Sequence, residues 1–160
     1  MNKIIIDGYN MIHQVPELCQ FLDVSLERAR EELVLHLKSY LVRHKVDIIL
    51  VFDGDQPLVG IARLHRNNYP KILFSKYPLN ADRVIKDLIN KEDKKKGLTV
   101  VTDDGDIIRY AISHNAKSLS TSEFYNRLEK RFDRKELNNK FDQDLSEEEL
   151  SEWLQIFGVK

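Results

Sequence analysis

The sequence predicts an α/β fold in which helices cover both faces of one open, parallel sheet. Strand-like runs alternate with segments of helical periodicity, an order typical of parallel sheets. Three of the runs are followed directly by an acid. These runs are 4–6 before Asp7, 48–52 before Asp53 and 98–102 before Asp103. Because open α/β sheets hold their ligand sites at the carboxyl ends of strands, the three acids predict a functional cluster.

The first half of the chain carries one short and one long predicted helix. After the first strand, residues 16–22 form a short helical turn. The long helix begins after Ser25, a good N-cap residue, and ends near His44. Its buried side is predicted by apolar residues at helical spacing: Leu26, Ala29, Leu33, Leu37, Tyr40 and Leu41. The second strand, 47–53, is continuously apolar, as strands are when both faces of the sheet are covered.

The second half repeats the alternation of strand and helix. Residues 54–70 are irregular because they are punctuated by proline, glycine and asparagine. Asn80 is the expected N-cap of the helix that follows the third strand. The further elements are strand 71–75, helix 81–91, strand 98–102, helix 106–114, strand 117–119 and helix 121–131. The predicted buried residues of the first two helices are Val84, Ile85, Leu88 and Ile89, then Ile107, Ile108, Ala111 and Ile112. We expect the strand order 3-2-1-4-5.

The last part of the chain, 132–160, has a different pattern. Residues 132–144 are polar and weakly patterned, as a tether is, and Ser146 opens a capping box. The helix that follows has one apolar face, formed by Leu150, Trp153, Leu154 and Phe157. We expect this C-terminal helix to pack on the domain 1–131, with docking on a partner as the alternative.

Composition places the chain among globular proteins of one domain. Its 160 residues are 42% hydrophobic and 32% charged, which excludes a disordered chain, and no apolar run has the length of a membrane span. The single cysteine, Cys19, excludes a disulfide framework and a thiolate zinc cluster. We therefore expect a cytoplasmic protein. The net charge of −1 is not that of a strongly basic nucleic-acid-binding domain.

The carboxylates at the predicted sheet edge are suited to a hard cation. Strands one and four are neighbours in the expected order, so Asp7 and Asp103 lie side by side, with Asp53 one strand away. Crowded carboxylates repel one another unless a cation is present. Oxygen ligands select Mg²⁺ or Mn²⁺, ions that engage substrate phosphates and activate water. The edge therefore predicts phosphoryl chemistry.

Several further residues have both a functional and a local structural explanation. Asp82 lies in the first turn of its helix, where an acid also complements the helix dipole. Asp104 and Asp106 stand at a helix start, so they serve either as caps or in the site. Gly8 and Asn10 suit a tight strand-to-helix turn, while the Asn10 amide could also bind a phosphate or a carboxylate ligand.

The same residues resemble a known family. In chain order they are Asp7-Gly8-Tyr9-Asn10, Leu26-Glu27-Arg28-Ala29-Arg30, Val51-Phe52-Asp53, Ala81-Asp82 and Val101-Thr102-Asp103. This ordered set is similar to YacP-like NYN domains, a branch of the PIN-like metal-dependent ribonucleases, and the likeness covers nearly the whole chain. The resemblance implies a single PIN-like domain, Mg²⁺ (or Mn²⁺) as the cofactor, and endonucleolytic cleavage of RNA.

The resemblance also implies the roles of individual residues. The catalytic residues would be Asp7, Asp82, Asp103 and Asn10, the last on a motif of the DxxN type. The metal ligands would be Asp7, Asp82 and Asp103, with Asp53 adjacent. Position in the sequence, rather than the resemblance, adds Asp104 to the possible metal ligands. It also leads us to expect contacts to the RNA backbone from the basic cluster nearest to Asp53, namely Arg63, Arg66, Lys71 and Lys76. The RNA could be free or held in a larger RNA-containing assembly.

Two alternatives come from other classes of protein. A haloacid-dehalogenase-type phosphatase would use Asp53 as its nucleophile and the pair Asp103-Asp104 for metal, but it leaves Asp7 and Asn10 without a role. A non-catalytic NYN module would bind RNA or a protein and would carry its acids as remnants. A generic phosphatase assay tests the first alternative, and a metal titration tests the second.

Overall fold

The computed structural model describes residues 2–54 and 69–130. They form a five-stranded sheet in the order β3-β2-β1-β4-β5, with every neighbouring pair parallel, which confirms the predicted fold class and strand order. The strands are β1 (Asn2–Asp7), β2 (Val46–Phe52), β3 (Lys71–Phe74), β4 (Leu98–Val101) and β5 (Lys117–Leu119). The helices are α1 (Gly8–Gln14), α2 (Pro16–Cys19), α3 (Leu26–Arg43), α4 (Ala81–Lys91), α5 (Gly105–Ser113) and α6 (Thr121–Glu129).

The register of the sheet brings the strand ends to one level. On the central strand β1, Ile6 pairs with Leu50 of β2 and with Val101 of β4. Phe52 of β2 pairs in turn with Phe74 of β3. The first residues beyond these strands therefore lie together along one side of the sheet, which we call the carboxyl edge.

Alternate strand residues enter two separate cores. Ile6 and Phe52 belong to the core that α1, α2, α3 and α6 cover, on what we call the α3 face. Ile5 and Val51 belong to the core that α4 and α5 cover, on the α4 face. This alternation follows from the two-residue period of a strand, and it explains why β1 and β2 are apolar at consecutive positions.

Helix α3 begins as predicted, with a capped first turn. The Ser25 hydroxyl accepts a hydrogen bond from the Arg28 backbone N–H at 3.0 Å. Burial on this helix begins only at Ala29 and continues through Leu33, as predicted. The prediction that Leu26 is buried is wrong: its side chain is 41% exposed, because it is the first residue of the helix and precedes the part that packs on the sheet.

Helices α4 and α5 cover the opposite face. The Asn80 side chain caps α4 by accepting from the Arg83 N–H at 3.0 Å, as predicted. On α5, Ile107 and Ala111 are buried, but Ile112 is 59% exposed, so its predicted burial is wrong. Five residues along a helix correspond to a rotation of about 140°, which carries Ile112 away from the face that holds Ile107.

Helix α1 begins directly after β1, whereas the sequence indicated only a turn there and no helix before residue 16. Its Met11 and Ile12 are fully buried on the α3 face. Gly8 permits this abrupt change of direction: a Cβ atom there would lie 2.5 Å from a ring carbon of Phe52 and 2.9 Å from the Val51 carbonyl oxygen. Only glycine lets the chain pass this close to β2.

Several predictions fall outside the described residues. These are the irregular segment beyond Gly54 with Arg63 and Arg66, the polar tether 132–144, and the C-terminal helix with Trp153. Among the residues that are described, no helix is both long enough and apolar enough to cross a lipid bilayer.

Candidate active site

Asp7 lies at the centre of the carboxyl edge. It is the last residue of β1 and follows Ile5 by two positions, so its side chain is on the α4 face of the sheet. Helices α4 and α5 begin on this face, with Asp82 in the first turn of α4 and Asp104 as the N-cap of α5. The two-residue period of β1 thus directs Asp7 toward these acids.

Burial and neighbouring charge make the Asp7 carboxyl a weak acid. Its pKa is raised from 3.8 to about 6, first because the group is withdrawn from water. Hydrogen bonds from the Thr102 hydroxyl and the Asn10 backbone lower the pKa, while repulsion from Asp104 and Asp82 raises it. The three carboxylates Asp7, Asp82 and Asp104 therefore form one electrostatically coupled group, which we call the acidic cluster.

Lys86 orients Asp82 within this cluster. One turn further along α4, the Lys86 ammonium lies 3.1 Å from Asp82 Oδ2 and also donates to Asp106 Oδ2. These two acids raise the pKa of Lys86. The other Asp82 oxygen, Oδ1, is buried and has no hydrogen-bond partner among the described residues. A buried carboxylate oxygen in this condition is costly unless a donor or a cation meets it.

Asp104 caps helix α5 and has one oxygen engaged in doing so. Its Oδ1 accepts from the backbone N–H groups of Asp106 at 2.9 Å and Ile107 at 3.4 Å. Its own N–H donates to the Thr102 hydroxyl at 3.1 Å. Of the two explanations given for this acid, the capping one is confirmed. Asp104 also raises the pKa of Asp7 by charge repulsion, so the same residue caps α5 and belongs to the acidic cluster.

Asn10 connects α1 to the end of β4. Its Oδ1 accepts from the Asp103 backbone N–H at 2.8 Å, and the Thr102 hydroxyl lies 3.3 Å from Asp7 Oδ2 and 3.5 Å from Asn10 Oδ1. Since the amide oxygen of Asn10 accepts the backbone bond, its NH₂ group is the end left to donate. This small network fixes Asp7 and Asn10 relative to the α5 N-terminus.

Asp103 is directed away from the acidic cluster. Its carboxylate accepts from both the backbone N–H, at 3.1 Å, and the hydroxyl of Thr121, the first residue of α6. Its charge is not among the causes of the raised Asp7 pKa. Because Ile6 pairs with Val101, Thr102 rather than Asp103 stands level with Asp7, and the Asp103 side chain is joined to α6.

The remaining predicted residues lie further along the sheet. Asp53 follows β2 and accepts from the Ser75 hydroxyl at 2.7 Å, one strand away from Asp7 as expected. Lys76 comes just after β3, at the carboxyl edge. Lys71 begins β3, so it is displaced from that edge by three residue steps, roughly 10 Å. Arg63 and Arg66 are outside the described residues.

The donor set of the acidic cluster fits a hard divalent cation, although it is not gathered around one point. Among residues 2–54 and 69–130, no group of three or more His, Cys, Asp or Glu side chains is arranged to hold a metal as it stands. The Asp103 carboxylate is bonded to Thr121 and stands apart from the acidic cluster. The unpartnered, buried Asp82 Oδ1 and the repulsion on Asp7 are both conditions that a cation would relieve.

Comparison with known proteins identifies the family of this chain. The family model described as YacP-like NYN domain matches residues 4–157. The chain belongs to the YacP-like NYN domain family. This family has a PIN-like nuclease fold, which agrees with the sheet order and the acidic carboxyl edge found here. The resemblance recognised in the sequence is therefore confirmed.

Relatives of this YacP-like NYN domain come from Bacillus subtilis. The protein named uncharacterized protein YacP, from strain 168, is 31% identical over 88 residues, which are 55% of this chain and 51% of that protein. The chain thus aligns with about half of that relative. Two crystal structures of Rae1 (YacP), one of them a W164L mutant, superpose with TM-scores of 0.67 and 0.66 at 29% and 26% identity. They match 81% of this chain, and 74% and 76% of theirs.

Three residues of this NYN site were not singled out from the sequence. Thr102 is a fully buried polar residue at the end of an apolar run, and that position was its only signal. Lys86 stands four residues after Asp82, the spacing of a helical ion pair. Thr121 was placed only as a helix start, and its pairing with Asp103, 18 residues earlier, had no local signal.

Proposed function

We propose that this chain is a divalent-metal-dependent endoribonuclease. One observation carries the proposal: the carboxyl edge of a PIN-like nuclease fold holds mutually repelling acids, and a buried oxygen of Asp82 there has no partner among the described residues. A carboxylate set of this kind serves little purpose in a protein that only binds RNA, because RNA itself is anionic.

Asp7, Asp82 and Asp104 are the residues best placed to hold Mg²⁺ or Mn²⁺. Asp7 and Asp82 offer carboxylate oxygens on the α4 face, and Asp104 uses only Oδ1 to cap α5. Asp103 would join them by exchanging its bonds to Thr121 for the cation. Asp53 would stay at a distance, bonded to Ser75. The cation, when bound, supplies Lewis acidity toward the phosphate and lowers the pKa of water.

The chain's own groups position the RNA phosphodiester. The Asn10 NH₂ group can donate to a phosphate oxygen at the carboxyl edge, since its amide oxygen is held by the Asp103 N–H. Thr102 keeps Asp7 in place by its hydroxyl contact. Lys86 compensates part of the negative charge, so that an anionic substrate can approach the acids.

The substrate path lies on basic residues near the same edge. Lys76 is well placed, and Lys71 is displaced toward the other end of β3. Arg63 and Arg66 complete the proposed path on grounds of sequence alone. This proposal also includes three further points: RNA as the partner, its presence in a larger RNA-containing assembly, and a cytoplasmic location.

The two alternatives have less support. A phosphatase nucleophile at Asp53 would need its metal-binding pair, Asp103-Asp104, beside it. Asp53 is instead bonded to Ser75, and β1 lies between β2, which precedes Asp53, and β4, which precedes that pair. A non-catalytic module accounts for the fold but not for the mutual repulsion of the carboxylates in the acidic cluster. No observation favours it over cleavage.

The test is a cleavage assay with purified protein and end-labelled single-stranded RNA. We expect internal cuts with Mg²⁺ or Mn²⁺, none with EDTA, and none from the Asp7→Asn variant. The exposed Asp47→Asn variant, which changes the same charge at the other end of the sheet, is the matched control and should cleave normally. A protein that binds RNA without cutting it under any metal would establish the non-catalytic alternative.

A further inference from the structure

Arg30 occupies an aromatic environment at the carboxyl edge. It lies in the second turn of α3, and its guanidinium carbon is 5.1 Å from the ring centre of Tyr9, 5.4 Å from that of Phe52 and 5.8 Å from that of Phe74. The three rings come from the start of α1 and from the last residues of β2 and β3. We call this group the Arg30 cage.

The guanidinium has no carboxylate partner among the described residues. Its Nε is buried without a hydrogen bond there, and burial lowers the pKa of Arg30. Two glutamates of α3 are paired with another arginine: Arg28 lies 2.8 Å from Glu32 and 3.9 Å from Glu31. An arginine stays charged at neutral pH, so the cage holds a positive charge that no carboxylate of residues 2–54 or 69–130 compensates by an ion pair.

Arg28 shows what an arginine with a local structural role looks like on the same helix. It also stacks on a ring, Phe21, with 5.4 Å between the guanidinium carbon and the ring centre, but two carboxylates accompany it. Arg30 has the aromatic rings but, in the part of the chain that the structure describes, no carboxylate partner. A planar guanidinium keeps its N–H donors in its own plane, where they can meet an anion.

The position of the cage relates this anion to the nuclease site. Phe52 immediately precedes Asp53, and Tyr9 follows Asp7 by two residues. The cage is on the α3 face and the acidic cluster on the α4 face, but both are at the carboxyl edge. A chain of phosphates that crosses this edge would pass both groups.

We propose that Arg30 is a substrate-positioning residue that binds a backbone phosphate of the RNA next to the one that is cleaved. This inference rests on the proposed endoribonuclease function. The aromatic rings fix the guanidinium before the substrate arrives, which lowers the entropy that binding costs. Charge-assisted hydrogen bonds to one phosphate then set the register of the RNA over the acids.

The test measures binding of labelled single-stranded RNA in EDTA, where no cleavage interferes, across a series of salt concentrations. We expect Arg30→Gln to weaken binding about tenfold or more, and to reduce the slope of log K against log salt by about 0.7, the value for one lost contact to a single strand. Arg28→Gln removes the same charge from the same helix and should leave both quantities unchanged. In cleavage with Mg²⁺, Arg30→Gln should raise KM more than it lowers kcat.

The outcomes separate this inference from the function on which it rests. If the unaltered protein binds and cuts RNA but Arg30→Gln keeps the full salt slope and affinity, the role of Arg30 is overturned and the nuclease proposal stands. If the unaltered protein neither binds nor cuts RNA, the nuclease proposal fails first. If Arg30→Gln does not fold, the Arg30→Lys variant provides the test. We expect it to keep the salt slope of RNA binding, because the charge remains, but to bind RNA several-fold more weakly, because lysine lacks the planar set of donors. RNA binding as tight as that of the unaltered protein would overturn the inference.

Discussion

The Lys86 ammonium lies 3.1 Å from Asp82 Oδ2, while Asp82 Oδ1 is buried without a partner among the described residues. One carboxylate thus has a satisfied oxygen and an unsatisfied one. The lysine fixes the rotation of the carboxylate, and the second oxygen is left for a ligand. This asymmetry is the feature of the site that most directly suggests a bound cation.

Asp7→Asn should stabilise the metal-free protein near neutral pH. Because the folded pKa of Asp7 is about 6 and its ordinary value is 3.8, the folded chain keeps its proton between these values while the unfolded chain has lost it. Stability therefore falls as the pH rises through this window, and the penalty is complete at pH 7. The gain from the substitution should be about 2 kcal/mol at pH 7, allowing for partial exposure, and should vanish below about pH 4.

Urea unfolding in EDTA at pH 4 and pH 7 measures this difference. Asp47→Asn, on the exposed amino-terminal part of β2, controls for the removal of one negative charge. A variant at position 7 that is less stable than the unaltered protein at pH 7 would show that Asp7 has a structural role.

Lys86→Met should make the thermal stability of the protein depend more strongly on a divalent cation. The substitution removes the positive charge shared by Asp82 and Asp106, so repulsion among the acids grows. We expect a lower Tm in EDTA and a larger rise of Tm on addition of Mn²⁺, both read by thermal unfolding. Lys96→Met, outside the site in the turn that precedes β4, is the control. An equal Mn²⁺ response in the two variants would contradict the role given to Lys86.

Asp103→Asn should differ from Asp7→Asn in its effect on stability. Asp103 accepts two hydrogen bonds from Thr121 at the start of α6, and weakening them should cost about 1 kcal/mol, the usual size for one such interaction. Thr121→Val removes the hydroxyl bond from the other side and should cost a similar amount. Chemical unfolding of the two variants and of the double variant measures the coupling. Fully additive losses would mean that the pair does not interact.

Lys76→Gln and Lys71→Gln should separate the two parts of the proposed RNA path. Lys76 lies beyond the carboxyl end of β3 and Lys71 at its other end, so only the first is close to the acids. We expect the salt slope of RNA binding to fall by about 0.7 for Lys76→Gln and by less for Lys71→Gln. The reverse order would move the RNA path to the other edge of the sheet, where Lys94–Lys96 would be the next residues to test.

Removal of residues 145–160 should lower the Tm if the predicted C-terminal helix packs on the domain. The apolar residues Trp153 and Phe157 motivate this prediction, because burying each large aromatic contributes on the order of 2–3 kcal/mol in transfer terms. The emission wavelength of the single tryptophan gives an independent measure. A strongly red-shifted emission together with an unchanged Tm would instead indicate docking on a partner.

The sequence predicted the fold better than it predicted the site. The caps Ser25 and Asn80 and the strand order depend on local patterns and on the rules of parallel sheets, and the structure confirms them. The predicted strands 47–53, 71–75 and 98–102 each end one residue earlier in the structure. Leu26 and Ile112 were misplaced because helical periodicity does not tell where packing begins or how wide the buried face is.

The sequence did not reveal which side chains pair when their residues are far apart in the chain. Asp103 was expected beside Asp7, but its backbone N–H donates to Asn10 and its carboxylate is bonded to Thr121. Arg30 was noted only as part of a family motif, since the rings of its cage come from one helix and two strands that are distant from it in the chain. Such contacts depend on side-chain directions that emerge only once the sheet has formed.

The close passage of Gly8 against Phe52 couples the two faces of the protein mechanically. The Phe52 ring that a Cβ at position 8 would strike is also a wall of the Arg30 cage, while the backbone at position 8 directly follows Asp7. A methyl group added at position 8 would therefore disturb the Arg30 guanidinium on the α3 face and the Asp7 carboxylate on the α4 face at the same time. Position 8 is a single point at which the alignment of a polyanion across both faces could be adjusted or lost.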